Sequence, residues 1–161
     1  VNWSVVVKKQ GRDYKDIGFE FRKSDVLHGI LLFFGIYIIY IIALAISPNF
    51  GQTPKNIDFL KTNVSIFYLL FIIINPFFEE LIVRAYAITE AKYLLKNEEI
   101  SVLISTVIQT SYHLYQGLIP ALYAGIMFFA FSIYFVKSMR IIPVIIVHLL
   151  FDFITMLELS K

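Results

Sequence analysis

The 161-residue chain contains no cysteine. Disulfides, thiolate nucleophiles and Cys-based zinc sites are therefore excluded. Charge is also thin. Asp, Glu, Lys and Arg make up 16% of the residues, against about a quarter in an ordinary soluble domain. The formal net charge of +2 is too small to point to nucleic acid as a partner. No cleavable signal peptide is expected within these residues, because Val1 to Asp25 is charged throughout. A chain that starts at Val1 rather than methionine is expected to be a fragment or a processed form.

Apolar side chains take the place of charge. Hydrophobic residues make up 58% of the chain and the mean hydropathy is +0.75. A soluble protein of this size would have more surface than so few charges can cover, whereas lipid removes that need. A membrane span takes about 20 apolar residues, and the apolar runs divide into about five helices. The first is expected over Val26 to Ile46, ending at the breaker cluster Ser47-Pro48-Asn49. A polar loop follows, with Gly51, Pro54, Lys55 and Lys61. The second helix starts near Val64 and continues towards Leu95, where Asn97, Glu98 and Glu99 make a wet turn. From Ile100 to Val136 there is no Asp, Glu, Lys or Arg. That stretch suits two spans broken at Gly117 and Pro120, with the proline in the first turn of the fourth helix. Pro143 opens the fifth helix, which runs to about Leu157.

The expectation is thus an all-α, polytopic transmembrane bundle. Residues 1–25 form a charged segment before a single helical domain over 26–161. The stretch from Val5 to Asp25 mixes apolar and charged residues, as a surface-lying amphipathic helix or a solvated tail would. Basic residues divide unevenly between the two sides. Lys8, Lys9, Arg12, Lys15, Arg22, Lys23, Lys92, Lys96, Lys137 and Arg140 fall on the N-terminal side, and only Lys55, Lys61 and Lys161 on the other. The positive-inside rule then puts the N-terminus in the cytoplasm and the C-terminus outside the cell membrane.

An ionisable group near the bilayer centre costs several kcal/mol, so the few inside the apolar runs carry the most information. They are Glu79, Glu80, Arg84, His113, His148 and Asp152, on three helices. Glu80 and Arg84 are four apart and can pair on one face. Glu79 projects elsewhere and lacks a local cation, a setting that suits a general base. Asn75, four before Glu79, can donate to it, and Pro76 should loosen the helix just before the pair. Ser105, Gln109 and His113 form one polar stripe, and His148 and Asp152 share a face. A structural ion pair explains Glu80 and Arg84, but it leaves the second carboxylate uncompensated.

No serine triad is evident around Ser105 or Ser111. The inventory suits activation of water instead, with Glu79 as base, His113 on the same water, and His148 donating to an oxyanion while Asp152 orients it. A zinc ion on Glu79, His113 and His148 is the competing form, although the HExxH spacing is absent. Proton-coupled transport is a further reading, disfavoured by the lack of inverted repeats. A scaffold with the site as helix glue is another. The depths differ. His148 lies about 8 Å into its helix and His113 about 20 Å into its own, at 1.5 Å per residue. Only a tilted third helix or a later entry into the membrane would put them level.

At these residues the chain resembles the CPBP family of CAAX prenyl proteases and bacteriocin-processing enzymes, also called Abi proteins. The shared pattern is Glu79-Glu80-Leu81-Ile82-Val83-Arg84, then His113, then His148-Leu149-Leu150-Phe151-Asp152, in order from about residue 64 to 157. The resemblance implies an all-helical intramembrane endopeptidase with glutamate-dependent chemistry. In it, Glu79 and His113 hold the water and His148 with Asp152 serves the oxyanion. Two positions depart from the pattern. Gln109 stands where the family often has phenylalanine, and Asp152 where the prenyl proteases of eukaryotes have asparagine. The family's bacteriocin-immunity and peptide-processing members point to a membrane peptide or protein as substrate rather than a prenylated one.

Overall fold

In a computed structural model, the protein is described over residues 13–46 and 66–159. The described residues form five α-helices and no strand. Helix α1 is Ser24–Ile46. Helix α2 is continuous in three pieces: Ile66–Glu80, a π-helical stretch Leu81–Tyr86, and Ala87–Leu95. Helix α3 is Glu98–Tyr112, α4 is Leu118–Ser138 and α5 is Ile142–Leu159. The polar loop with Gly51, Pro54, Lys55 and Lys61 lies outside the described residues, as does Val5 to Arg12 of the N-terminal segment. From Asp13 to Lys23 the backbone makes one 3-10 turn, Tyr14–Ile17, and is otherwise non-helical.

Local chemistry sets the corners. Lys96 leaves α2 in the left-handed region, and the Asn97 side chain caps α3 by accepting the Ile100 N–H at 3.0 Å. Lys92 and Glu98 form an ion pair across this turn. Gly117, at φ 106°, precedes α4, and Pro120 falls in its first turn, where its missing N–H costs nothing.

Among the described residues two helices are long and apolar enough to cross a membrane, α1 over Ser24–Ile42 and α4 over Leu118–Ser138. Helix α5 has a shorter apolar stretch, Ile142–Leu157. Helix α3, at 15 residues, is about 22 Å long, less than the roughly 30 Å hydrocarbon core. Apolar side chains cover much of the outside, among them Leu27, Leu31, Phe34, Phe67, Leu103 and Leu118. The interior is closed by Phe128, Phe131 and Phe135 of α4 against Ala85, Ile88, Val144 and Val147.

The N-terminal segment is latched to the corner between α4 and α5. Gly18 accepts the Ile141 N–H at 3.1 Å. A Cβ on Gly18 would meet the Met139 carbonyl oxygen at 2.5 Å, and its φ is +70°, so the approach requires glycine twice over. Asp25 is fully buried. It accepts the Arg22 backbone N–H at 2.6 Å and forms an ion pair with Arg140. Arg140 also donates to the Ser24 hydroxyl at 2.8 Å.

Pro76 does not disturb the helix where the sequence suggested. α2 runs through it, and the departure from α geometry begins after the glutamate pair, at Leu81. Pro76 is packed and buried. One lost hydrogen bond is absorbed there, while the widened turn falls where a neighbouring helix supplies a partner. Ser105 of α3 donates to the Val83 carbonyl at 2.8 Å.

Candidate active site

Three contacts set the register of the helices. Ser105 meets Val83, Ser105 meets Ser132 at 3.3 Å, and Gly125 of α4 lies against Thr110 of α3. The close approach at Gly125 brings α3 and α4 together along the stripe Ser105, Gln109. Phe128 and Phe131, on the same α4 face, then pack against His148 of α5, with ring centroids 5.8 and 5.9 Å apart.

Glu80 and Arg84 pair as their spacing dictates, Nε to Oε2 at 3.2 Å, and both are fully buried. The guanidinium lies over the Phe128 and Phe131 rings, 5.0 and 5.7 Å from their centroids. It also donates to the Phe128 carbonyl at 3.2 Å. Arg84 thus combines stacking, an ion pair and a hydrogen bond, which a lysine point charge could not reproduce, while its Nη1 is buried with no hydrogen-bond partner among the described residues.

Glu80 has a second task. Its Oε1 lies 2.7 Å from His148 Nδ1. Asp152, expected to orient His148, is instead 3.7 Å from Nε2 on the other side of the ring. Glu80 thus sets the orientation of His148. Asp152, four residues on along α5, is at the more open edge, its side chain 33% exposed.

Glu79 is held differently. Oε1 accepts from the Asn75 amide at 2.7 Å and Oε2 from the Gln109 amide at 3.0 Å. Oε2 also faces the Nε2 atoms of His113, at 4.0 Å, and of His148, at 3.9 Å. The two histidines lie at different distances along their helices, yet both rings pack against Phe128 of α4, with centroids 4.8 and 5.8 Å away, and both face the same Glu79 oxygen.

His113 packs on Phe128, with centroids 4.8 Å apart, and its Nε2 is buried with no hydrogen-bond partner among the described residues. Gln116 Nε2 lies 3.2 Å from His113 Nδ1 and 3.0 Å from the Tyr115 hydroxyl. Sequence reasoning missed Gln116 in this role, though a polar side chain three residues after His113 is the signal that could have found it. It saw Gln109 as a stripe residue and a departure, not as a donor to the carboxylates. Among the described residues no three His, Asp or Glu side chains are grouped closely enough to hold a metal ion. Glu79 Oε2 faces Nε2 of both His113 and His148.

A carboxylate pair, an arginine and two histidines gathered between apolar helices define the class: an all-helical bundle with an enclosed polar site. The sequence match is more specific. Residues 61–154, more than half of the chain, match the family described as type II CAAX prenyl endopeptidase Rce1-like, and the chain belongs to that family of membrane-embedded proteins. No curated protein and no solved structure matches the chain.

Proposed function

We propose that the protein is an intramembrane endopeptidase that hydrolyses peptide bonds of membrane-associated peptides or proteins with water activated by Glu79. The observation that carries this reading is the convergence on one carboxylate oxygen. Glu79 Oε2 faces His113 Nε2 at 4.0 Å and His148 Nε2 at 3.9 Å, while Asn75 and Gln109 fix the carboxylate from both sides.

A water hydrogen-bonded at about 2.8 Å to two atoms 4.0 Å apart subtends an angle of about 90°, so it fits between Glu79 and His113. A zinc ion bound at about 2.0–2.1 Å with tetrahedral angles would draw its ligand atoms to roughly 3.4 Å. The separations therefore favour water over a shared metal. Gln116, donating to His113 Nδ1, places the ring proton on Nε2. That proton holds the water oxygen and leaves Glu79 as the group that takes the water's proton.

The chemistry then runs through this chain's own side chains. Glu79 removes a proton from water as its oxygen adds to the carbonyl carbon. With both ring nitrogens protonated, His148 donates Nδ1–H to Glu80 and Nε2–H to the developing oxyanion. Collapse breaks the carbon–nitrogen bond, and the proton on Glu79 passes to the leaving amine. Arg84 and Glu80 supply fixed charge behind His148. The apolar exterior and the basic-residue asymmetry fit a bundle of about five spans in the cell membrane, with the N-terminus cytoplasmic.

The test uses protein reconstituted in phosphatidylethanolamine and phosphatidylglycerol vesicles. A mixture of synthetic hydrophobic peptides is supplied, some ending in a farnesylated cysteine motif, and products are read by mass spectrometry. Glu79→Gln should abolish every product while leaving insertion and helicity intact. Products unchanged in Glu79→Gln would sink the assignment. Activity should survive excess chelator; a loss restored by zinc would instead reassign Glu79, His113 and His148 as metal ligands.

A further inference from the structure

We infer that Gln109 is a positioning residue that holds the reactive carboxylate of Glu79 in place by bridging it to Glu80, an inference that rests on the proposed role of Glu79. Its Nε2 lies 3.0 Å from Glu79 Oε2 and 3.4 Å from Glu80 Oε1. The side chain is fully buried. Both partners are carboxylate oxygens, which accept, so only the amide nitrogen can face them, and its two N–H groups provide one donor to each.

The choice of an amide matters for charge. Two carboxylates adjacent in sequence share one arginine, and that arginine is committed to Glu80. A lysine or arginine at position 109 would neutralise Glu79 and remove its value as a base. A phenylalanine would offer no donor and would leave the second Glu79 oxygen free to rotate away from the histidines. Gln109 does neither: it fixes the direction of Oε2 and adds no charge. Its own position is set one turn earlier on α3, where Ser105 hydrogen-bonds the Val83 carbonyl at 2.8 Å. The widened π turn of α2 thus registers Gln109 opposite the glutamate pair. On the far side of Glu79, Asn75 binds Oε1 from within the same helix. One donor is therefore local and the other tertiary. The tertiary one ties the carboxylate to α3, the helix that also carries His113.

Two variants separate positioning from folding. Gln109→Met keeps length and volume and removes both N–H groups. Gln109→Glu keeps the shape and replaces the amide donors with a carboxyl that donates only while protonated. Both are measured in the vesicle assay with the same peptide mixture, beside the parent and Glu79→Gln. Gln109→Met should lower kcat between about tenfold and a hundredfold, the scale of a misplaced reacting group, with KM within about twofold. It should also displace the acid limb of the kcat–pH profile, which a purely structural side chain would leave in place. Gln109→Glu should lose activity relative to the parent as pH rises, because its carboxyl then stops donating and repels its two neighbours.

A Gln109→Met protein with unchanged kcat and an unmoved acid limb overturns the inference. If that variant does not fold, a Gln109→Glu to parent activity ratio independent of pH overturns it equally. Cleavage that persists in Glu79→Gln, or a parent that yields no product, removes the protease reading itself and the role of Gln109 with it. A dead Glu79→Gln beside a fully active Gln109→Met leaves the protease reading standing and removes only this inference.

Discussion

Replacing Arg84 with methionine should be among the most damaging single changes in the bundle, and a second change should undo much of the harm. Arg84 and Glu80 are both fully buried, with Nε and Oε2 3.2 Å apart. Removing one partner of such a pair costs about 3–5 kcal/mol, because the other charge stays buried and unpaired. Loss of the stack on Phe128 and Phe131 adds on the order of 1 kcal/mol. Arg84→Met should therefore cost about 4–6 kcal/mol, a large part of a total stability of about 5–15 kcal/mol. Glu80→Gln alone strands the guanidinium and should cost about 3–5 kcal/mol. The double variant strands neither. Gln at position 80 can still accept from His148 Nδ1, and methionine fills the space between the phenylalanine rings. Its loss should be about 2–3 kcal/mol, less than either single change, because a buried pair replaced by neutral groups of similar volume is often close to neutral. The coupling between the two positions should then be several kcal/mol in sign and size, well above the roughly 0.5 kcal/mol seen for independent sites. Unfolding in mixed micelles with rising dodecyl sulfate, followed by helical circular dichroism, measures all four proteins. A double variant as unstable as the two losses added together would refute the reasoning.

Two further predictions concern the scaffold. A Cβ at Gly125 would meet Thr110 Oγ1 at 2.8 Å and Cγ2 at 3.3 Å, so Gly125→Ala should cost about 1–3 kcal/mol by overpacking; adding Thr110→Ala, which deletes both atoms, should restore most of it in the same unfolding assay. Arg140→Ala leaves Asp25 buried without its cation and should cost about 3 kcal/mol, whereas Lys137→Ala, at an exposed position nearby, should stay within about 0.5 kcal/mol.

The helices were largely legible because each is a local pattern. The wet turn at Asn97, the break at Gly117 and the opening at Pro143 are chemical signals within a few residues of the boundaries they set. Glu80–Arg84 and Asn75–Glu79 were legible for the same reason, since residues four apart on a helix meet whatever the rest of the chain does. The π-helical stretch was not. Ser105 on another helix binds the Val83 carbonyl inside it, and nothing within residues 81–86 announces that partner. The second partner of His148 was hidden on similar grounds. Spacing pointed to Asp152, four residues away and 3.7 Å from Nε2, but the contact at hydrogen-bond distance is Glu80, 68 residues distant in sequence.

By itself, then, the sequence determined the all-helical class, the order of the helices and the inventory of buried ionisable groups, because hydropathy and helical period act over one or two turns. Tertiary structure alone decided which of those groups touch. A helix apolar on nearly every side can rotate and slide without changing its hydropathy pattern. Its rotation is fixed by specific contacts, here Gly125 against Thr110, Ser105 on the Val83 carbonyl and Arg84 between two phenylalanine rings. Those contacts turn Gln109, His113 and His148 towards Glu79, and the difference between the two glutamates follows from them. Glu80 is locked between an arginine and a histidine, and Glu79 is held by the Asn75 and Gln109 amides and faces the histidines.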